Sequence, residues 1–325
     1  MIRKKVLNVN KTTSNKLNSL IKPTAFVNMI FMFLVLLMGA LVTKTESGRG
    51  CGDDWPLCNG KFVPAYTIES MIEYSHRFVA GLAGMLMLAV FVLVFLTNAR
   101  KEVKWYASGG LFFTILQAIL GAMAVVWPQS SPVLALHFGF SLLAFSLTLL
   151  LALAYTKSGS SSQKTVMSSG LRMGIWLTTL YCYGVVYLGA FVRHTKSSGG
   201  CLGWPLCNGQ VIPELSGETG IVFAHRLAAI GMLILVILLL ATVSKTYKRT
   251  DSVYKWSQWS LIFVVLQILS GALVTYTMGY DSYLLASLLH TLLVSCLFGM
   301  LSYLTVLAIR AKQTEVAGVR AAERS

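Results

Sequence analysis

Eight apolar runs, each long enough to cross a bilayer, set the first constraint on this chain. They cover approximately residues 25–42, 71–96, 105–127, 133–155, 171–192, 221–243, 254–276 and 283–309. Runs of roughly 18 or more apolar residues mark transmembrane helices, because a backbone in hydrocarbon must satisfy its own hydrogen bonds. With 55% hydrophobic and only 12% charged residues, the chain also falls well short of the roughly 25% charge of an ordinary globular domain. The expected fold class is all-α integral membrane.

A net charge of +15 raises the question of nucleic acid, and the distribution of that charge answers it. With the N-terminus inside, twenty of the 27 Lys and Arg fall in inner segments, which carry +16 against −1 outside. This is the positive-inside bias that orients membrane proteins, so both termini are expected in the cytoplasm. No basic cluster is interleaved with aromatics as a nucleic-acid surface requires. The first 24 residues are basic, acid-free and rich in Ser, Thr and Asn. They read as a cytoplasmic tail; an organellar transit peptide, and with it a mitochondrial inner membrane location, is the alternative.

The chain is also duplicated. Cys51-Gly-Asp-Asp-Trp55-Pro-Leu-Cys58-Asn-Gly arrives eighteen residues later at His76-Arg77, and Cys201-Leu-Gly-Trp204-Pro-Leu-Cys207-Asn-Gly arrives eighteen residues later at His225-Arg226. Gln117-Ala-Ile-Leu-Gly121 in the third run matches Gln267-Ile-Leu-Ser-Gly271 in the seventh. Two four-helix bundles related by a pseudo-twofold axis along the membrane normal are expected, since four spans per half restore the direction of entry. The divisions are a tail at 1–24, a first half at 25–156, a linker at 157–170, a second half at 171–309 and a cytoplasmic tail at 310–325. Each of the two long outer loops holds one cysteine pair, on the side where disulfides persist.

His76, His137, His225 and His290 each lie a few residues into a helix that starts from the outer face. At 1.5 Å per residue they form one layer roughly 7–11 Å deep, two to a half. An intramembrane histidine is costly and defaults to a functional hypothesis. Paired imidazoles at equal depth in a bundle suit the axial coordination of a haem iron. Core histidines satisfied by neighbours, a proton relay or another metal are the alternatives.

The cysteines fit small disulfide loops, Cys51 with Cys58 and Cys201 with Cys207, in a structural or a redox role; a four-cysteine zinc site has the wrong spacing. Cys182 and Cys296 stand alone in apolar helices and read as small hydrophobes. Glu73 shares a helix face with His76, and its repeat counterpart is Val222. Only one half therefore has a carboxylate beside its histidine pair, as expected if one site performs chemistry and the other holds an electron carrier. A solvated acid favoured by the helix N-terminus is the competing explanation. His194, equivalent to Lys44, reads as a polar loop residue. Arg77 and Arg226 are placed to meet haem propionates or to snorkel to the interface. Trp55 and Trp204 either shield a haem edge or anchor the interface.

These residues resemble the haem A synthase family over nearly the whole chain. The resemblance is carried by Glu73-Tyr-Ser-His76-Arg77, His137, Val192-Arg-His-Thr195, Cys201–Cys207 with its Trp-Pro-Leu, His225-Arg226 and His290, and is closest to bacterial members with cysteine pairs in both outer loops. It implies oxidation of the C8 methyl of haem O to a formyl group, giving haem A for haem-copper terminal oxidases, with oxygen from water. It assigns haem b to His225 and His290 and the haem O substrate to His76 and His137, and makes Glu73 the essential acid. The implied partners are membrane lipid, an electron acceptor and a haem O-making farnesyltransferase, in a multi-pass protein of the bacterial plasma membrane; a homo-oligomer is left open. A non-catalytic dihaem b electron-transfer protein and a membrane thiol-disulfide oxidoreductase are the competing classes.

Overall fold

The computed structural model describes residues 2–63, 66–97, 99–127, 130–156 and 165–313. Among them are eight long helices: α1 Ile2–Lys44, α2 Ile68–Leu96, α3 Lys101–Val126, α4 Ser131–Ala154, α5 Ser169–His194, α6 Gly217–Thr246, α7 Ser252–Tyr276 and α8 Tyr283–Arg310. All eight are long and apolar enough to cross a membrane, α1 over Lys16–Lys44, so the chain is an all-α, eight-span membrane protein.

Seven helices begin and end within four residues of the expected runs. The exception is α1, which starts at Ile2 and not near Ala25, and so passes through Pro23. Proline removes one N–H from the ladder, and no glycine stop lies ahead of it, so the basic segment continues the helix. Local sequence fixes other starts: the Thr67 side chain accepts from Ser70 N–H before α2, and the Ser168 hydroxyl accepts from Leu171 N–H before α5. These bonds satisfy helix N–H groups that have no partner in the first turn. A parallel two-residue ladder, β1 Val166–Met167 with β2 Lys312–Gln313, ties the approach to α5 to the end of α8. Linker residues 157–164 and tail residues 314–325 lie outside the described residues.

Packing follows the duplication. Helix α1 packs on α2, α2 on α3, α3 on α4 and α4 back on α1; α5, α6, α7 and α8 close the same ring. The two rings meet along a seam where α1 and α5 contact both α4 and α8, which also touch each other. This makes α8 and α4 the most enclosed spans, with 61% and 44% of their most apolar windows buried against 33% or less elsewhere. One hydrophobic cluster runs from α1 through α4 and α5 into α8 without a break at the seam. His137 and His290 thus sit on the two central helices, and His76 and His225 on α2 and α6, opposite them in each ring.

Candidate active site

His76, His137, His225 and His290 lie 8, 6, 8 and 7 residues beyond the first residues of α2, α4, α6 and α8. That sets all four about 9–12 Å along their helices from the ends nearest the cysteine loops. His76 and His137 are within electrostatic range of each other, as are His225 and His290. Each ring faces a glycine on the preceding helix. A Cβ added at Gly39 would lie 3.3 Å from His76, at Gly121 3.4 Å from His137, at Gly189 2.9 Å from His225 and at Gly271 3.3 Å from His290. Two of these glycines belong to the matched segments of the third and seventh runs. Gly39 and Gly189, 150 residues apart, were not singled out from sequence, although their identical offset from the repeat is a usable signal.

The donors suit a ligand held by histidine pairs. The Nδ1 atoms of His76, His137 and His225 are buried without a hydrogen-bond partner among the described residues. Such an atom costs about 1–3 kcal/mol while it has no partner. Among those residues no three or more His, Cys, Asp or Glu gather as a metal cluster. Imidazole pairs, each ring seated against a glycine, have the donor chemistry that axial ligation of an iron porphyrin requires.

His290 differs from the other three. Its Nδ1 lies 2.8 Å from Ser270 Oγ, and Ser270 donates its own proton to Gln267 O at 2.9 Å. The Gln267 amide nitrogen lies 3.2 Å from the same Nδ1 and 3.0 Å from Nε2, so Ser270 and Gln267 together hold the orientation of this ring. Leu120 occupies the position of Ser270 in the first half and offers His137 no such bond.

Glu73 is buried, 3% exposed, which removes the solvated helix-start explanation. One carboxylate oxygen accepts from Cys51 N–H at 2.8 Å, and the other pairs with Arg77 one helical turn on. Arg77 also donates to the carbonyls of Asp54 and Leu57, both at 2.8 Å. Carboxylate, guanidinium and disulfide loop form one unit directly above His76. In the second half Val222 packs instead against Cys201 and Cys207 as an apolar cluster. Arg226 donates to Cys201 O at 3.0 Å, Leu206 O at 3.2 Å and Thr275 Oγ1 at 3.3 Å. Both arginines thus hold the loops over the histidines.

The loops are disulfide-closed, Cys51 to Cys58 and Cys201 to Cys207, which excludes these cysteines as thiolate ligands of zinc. Ser70 Oγ donates to Gly50 O, and Thr219 Oγ1 to Gly200 O at 2.8 Å. A Cβ at Gly50 or Gly200 would collide with the backbone of the helix start beneath it, so only glycine permits this seating. Cys182 is buried and unpaired, and Cys296 is partly buried. Trp55 and Trp204 are 54% and 36% exposed. His194 corrects an expectation: it is no loop residue but the last residue of α5, half-buried, with Ser131 donating to its carbonyl at 2.8 Å.

Comparison with known proteins gives the same outline. The model of a cytochrome oxidase assembly protein family, COX15-CtaA, matches residues 23–71 and 65–302. The chain is 42% identical over 304 residues to a protein of Symbiobacterium thermophilum named haem A synthase, covering 91% of this chain and 98% of that one. It is 40% identical to the haem A synthase of Geobacillus kaustophilus, over 93% of this chain and 94% of that one. Against the haem A synthase of Bacillus licheniformis the figures are 40%, 90% and 98%.

Proposed function

The chain belongs to the COX15-CtaA family of cytochrome oxidase assembly proteins, and from that premise we propose that it is a haem A synthase of the bacterial membrane. It takes haem O at His76 and His137, holds haem b at His225 and His290, and oxidises the C8 methyl of the substrate to a formyl group. The observation that carries this reading is the single carboxylate. Glu73 is buried beside one histidine pair and replaced by Val222 beside the other, so the two repeats are built for different tasks.

The net change from methyl to formyl adds one oxygen from water and releases four electrons and four protons. It is most simply two two-electron steps, through an alcohol and then a hydrated aldehyde that loses water. As electrons leave, the methyl carbon becomes cationic. Glu73 stabilises that charge or accepts the proton of the attacking water. Its bonds to Cys51 N–H and Arg77 hold it in place before the substrate arrives, so little reorganisation remains at the moment of reaction. Buried walls and the disulfide-closed loop restrict access of bulk water.

Haem b, when bound, supplies one-electron redox chemistry. The residues there are built to keep it: Ser270 and Gln267 hydrogen-bond the ring of His290, and among the described residues the position of Glu73 is taken by Val222. Leu120 leaves His137 unanchored, as suits a group that must be exchanged each turnover. The same enclosed helices also suit a dihaem electron-transfer protein, but such a protein gives Glu73 no role.

Haem extraction from cells that make haem O, with and without this protein, tests the proposal. Haem A should appear only when the protein is present. Purified protein holding haem b alone, with no haem A formed in the cells, would overturn it.

A further inference from the structure

Lys44 and His194 occupy equivalent positions in the repeat, 150 residues apart, at the ends of α1 and α5. Both lie at the seam, where repeat-equivalent residues meet: Arg193 donates to Thr43 O, and Lys196 pairs with Glu46 at 3.6 Å. From there the Lys44 side chain and the His194 backbone each meet a helix of the opposite half. Lys44, at the end of a first-half helix, places its ammonium 5.7 Å above the ring of Tyr283, the first residue of α8. His194, at the end of a second-half helix, is hydrogen-bonded through its backbone to Ser131, the first residue of α4.

Tyr283 and His290 are seven residues apart, two helical turns on one face of α8, a rise of about 10 Å. Lys44 therefore sits on the loop side of His290, about as far from it as the carboxylates of a porphyrin lie from its centre. It is half-buried, and among the described residues its ammonium has no carboxylate partner. A cation held over an aromatic ring at a membrane border, short of full hydration, fits an incoming anion.

We infer that the two haem sites are completed across the seam: Lys44 from the first half binds a propionate of the haem held by His225 and His290, and His194 from the second half does the same for the haem held by His76 and His137. The inference rests on the assignment of those histidine pairs to haem. A crossed arrangement explains why two halves that could each close on themselves share one continuous core. It also makes each site sensitive to the position of the other half.

The test uses full-length protein purified without haem and reconstituted with haem b or with its dimethyl ester, which lacks the propionate charges. Retention and midpoint potential at the second-half site are followed by visible spectra. Lys44→Gln should raise the dissociation constant of haem b by about tenfold or more, the loss of one charge-assisted bond. It should also lower the midpoint potential, because a nearby cation favours the reduced form. Lys44→Arg should restore both, which guards against simple misfolding. With the dimethyl ester, wild type and Lys44→Gln should bind alike. His194→Gln should leave the second-half haem unchanged and loosen the first-half haem. If Lys44→Gln weakens haem b and its ester equally, or leaves affinity and potential untouched, the crossed anchor is wrong. If His290→Ala keeps the wild-type spectrum, the underlying haem assignment has failed as well, which separates the two.

Discussion

Replacing Glu73 by glutamine separates chemistry from scaffolding, provided the scaffold cost is known. The side chains of Arg77 and Glu73 are 13% and 4% exposed, so their pair escapes the screening that makes surface ion pairs nearly worthless. Glu73→Gln keeps the shape and an acceptor for Cys51 N–H, and Arg77 keeps its two loop carbonyls. Exchanging the charge-assisted bond for a neutral one costs about 1.5–3 kcal/mol at most, too little to unfold eight packed helices. The variant should therefore insert and load both haems. A general base or charge stabiliser contributes about 10²–10⁴ in rate, so haem A formation should fall at least about a hundredfold. Arg77→Gln is the comparator: it breaks the same ion pair but retains the carboxylate and its bond to Cys51, and should keep most of the activity. Haem extraction and chromatography from cells making haem O give the rate, and pyridine spectra of the purified protein give the loading. Wild-type haem A formation by a fully loaded Glu73→Gln refutes the chemical role. Equal losses in Glu73→Gln and Arg77→Gln would mean that Glu73 only pins the loop.

Alanine at His76 or His137 should remove haem O and leave haem b, and alanine at His225 or His290 the reverse; pyridine spectra of each variant check this, and loss of both haems from one substitution contradicts separate sites. Gly189→Ala puts a Cβ 2.9 Å from His225 and should lose haem b, whereas Gly184→Ala, with nothing within 4 Å, should keep it. Opening the second loop with Cys201→Ser and Cys207→Ser removes a closure worth about 2 kcal/mol in the chain-entropy model, so the thermal unfolding midpoint should drop while activity persists; abolished activity with unchanged stability would point instead to a redox role. Ser270→Ala should speed haem b release by about two- to tenfold, the worth of one neutral hydrogen bond, whereas Leu120→Ala should not.

The spans and the histidine layer were legible because both rest on strong signals. Apolar length decides a transmembrane helix almost alone, and a duplicated motif fixes depth by counting residues from each loop. The start of α1 was misplaced because Pro23 and the loss of apolarity before Ala25 both mark the end of a span, and neither need mark the end of a helix. The state of Glu73 was not legible: a carboxylate at a helix start is usually solvated, and its burial depends on the loop of Cys51, a separate segment, closing over it. The placement of His194 failed for a related reason. Its neighbours come from the seam, and no local pattern announces a contact between residues over 60 positions apart, as Ser131 and His194 are.

Duplication gives two sites of the same depth and the same glycine-backed histidines, so whatever distinguishes a reacting haem from a resident one must lie in the departures from symmetry. Three departures fall at the sites, and they act on different atoms. Glu73 against Val222 gives one half a carboxylate beside its histidine. Ser270 against Leu120 gives the other half a hydrogen-bonded histidine. Lys44 against His194 puts an ammonium toward the half with Ser270 and an imidazole-bearing residue against the half with Glu73. The three agree in sense. A haem beside a positive charge is the better electron acceptor, because that charge favours the reduced form. A loosely ligated haem beside a carboxylate is the better place to build positive charge on carbon and then release the product. Electrons are thereby expected to flow from the first half to the second. Exchanging the identities at any one of these positions should weaken that direction without reversing it, since the other two remain.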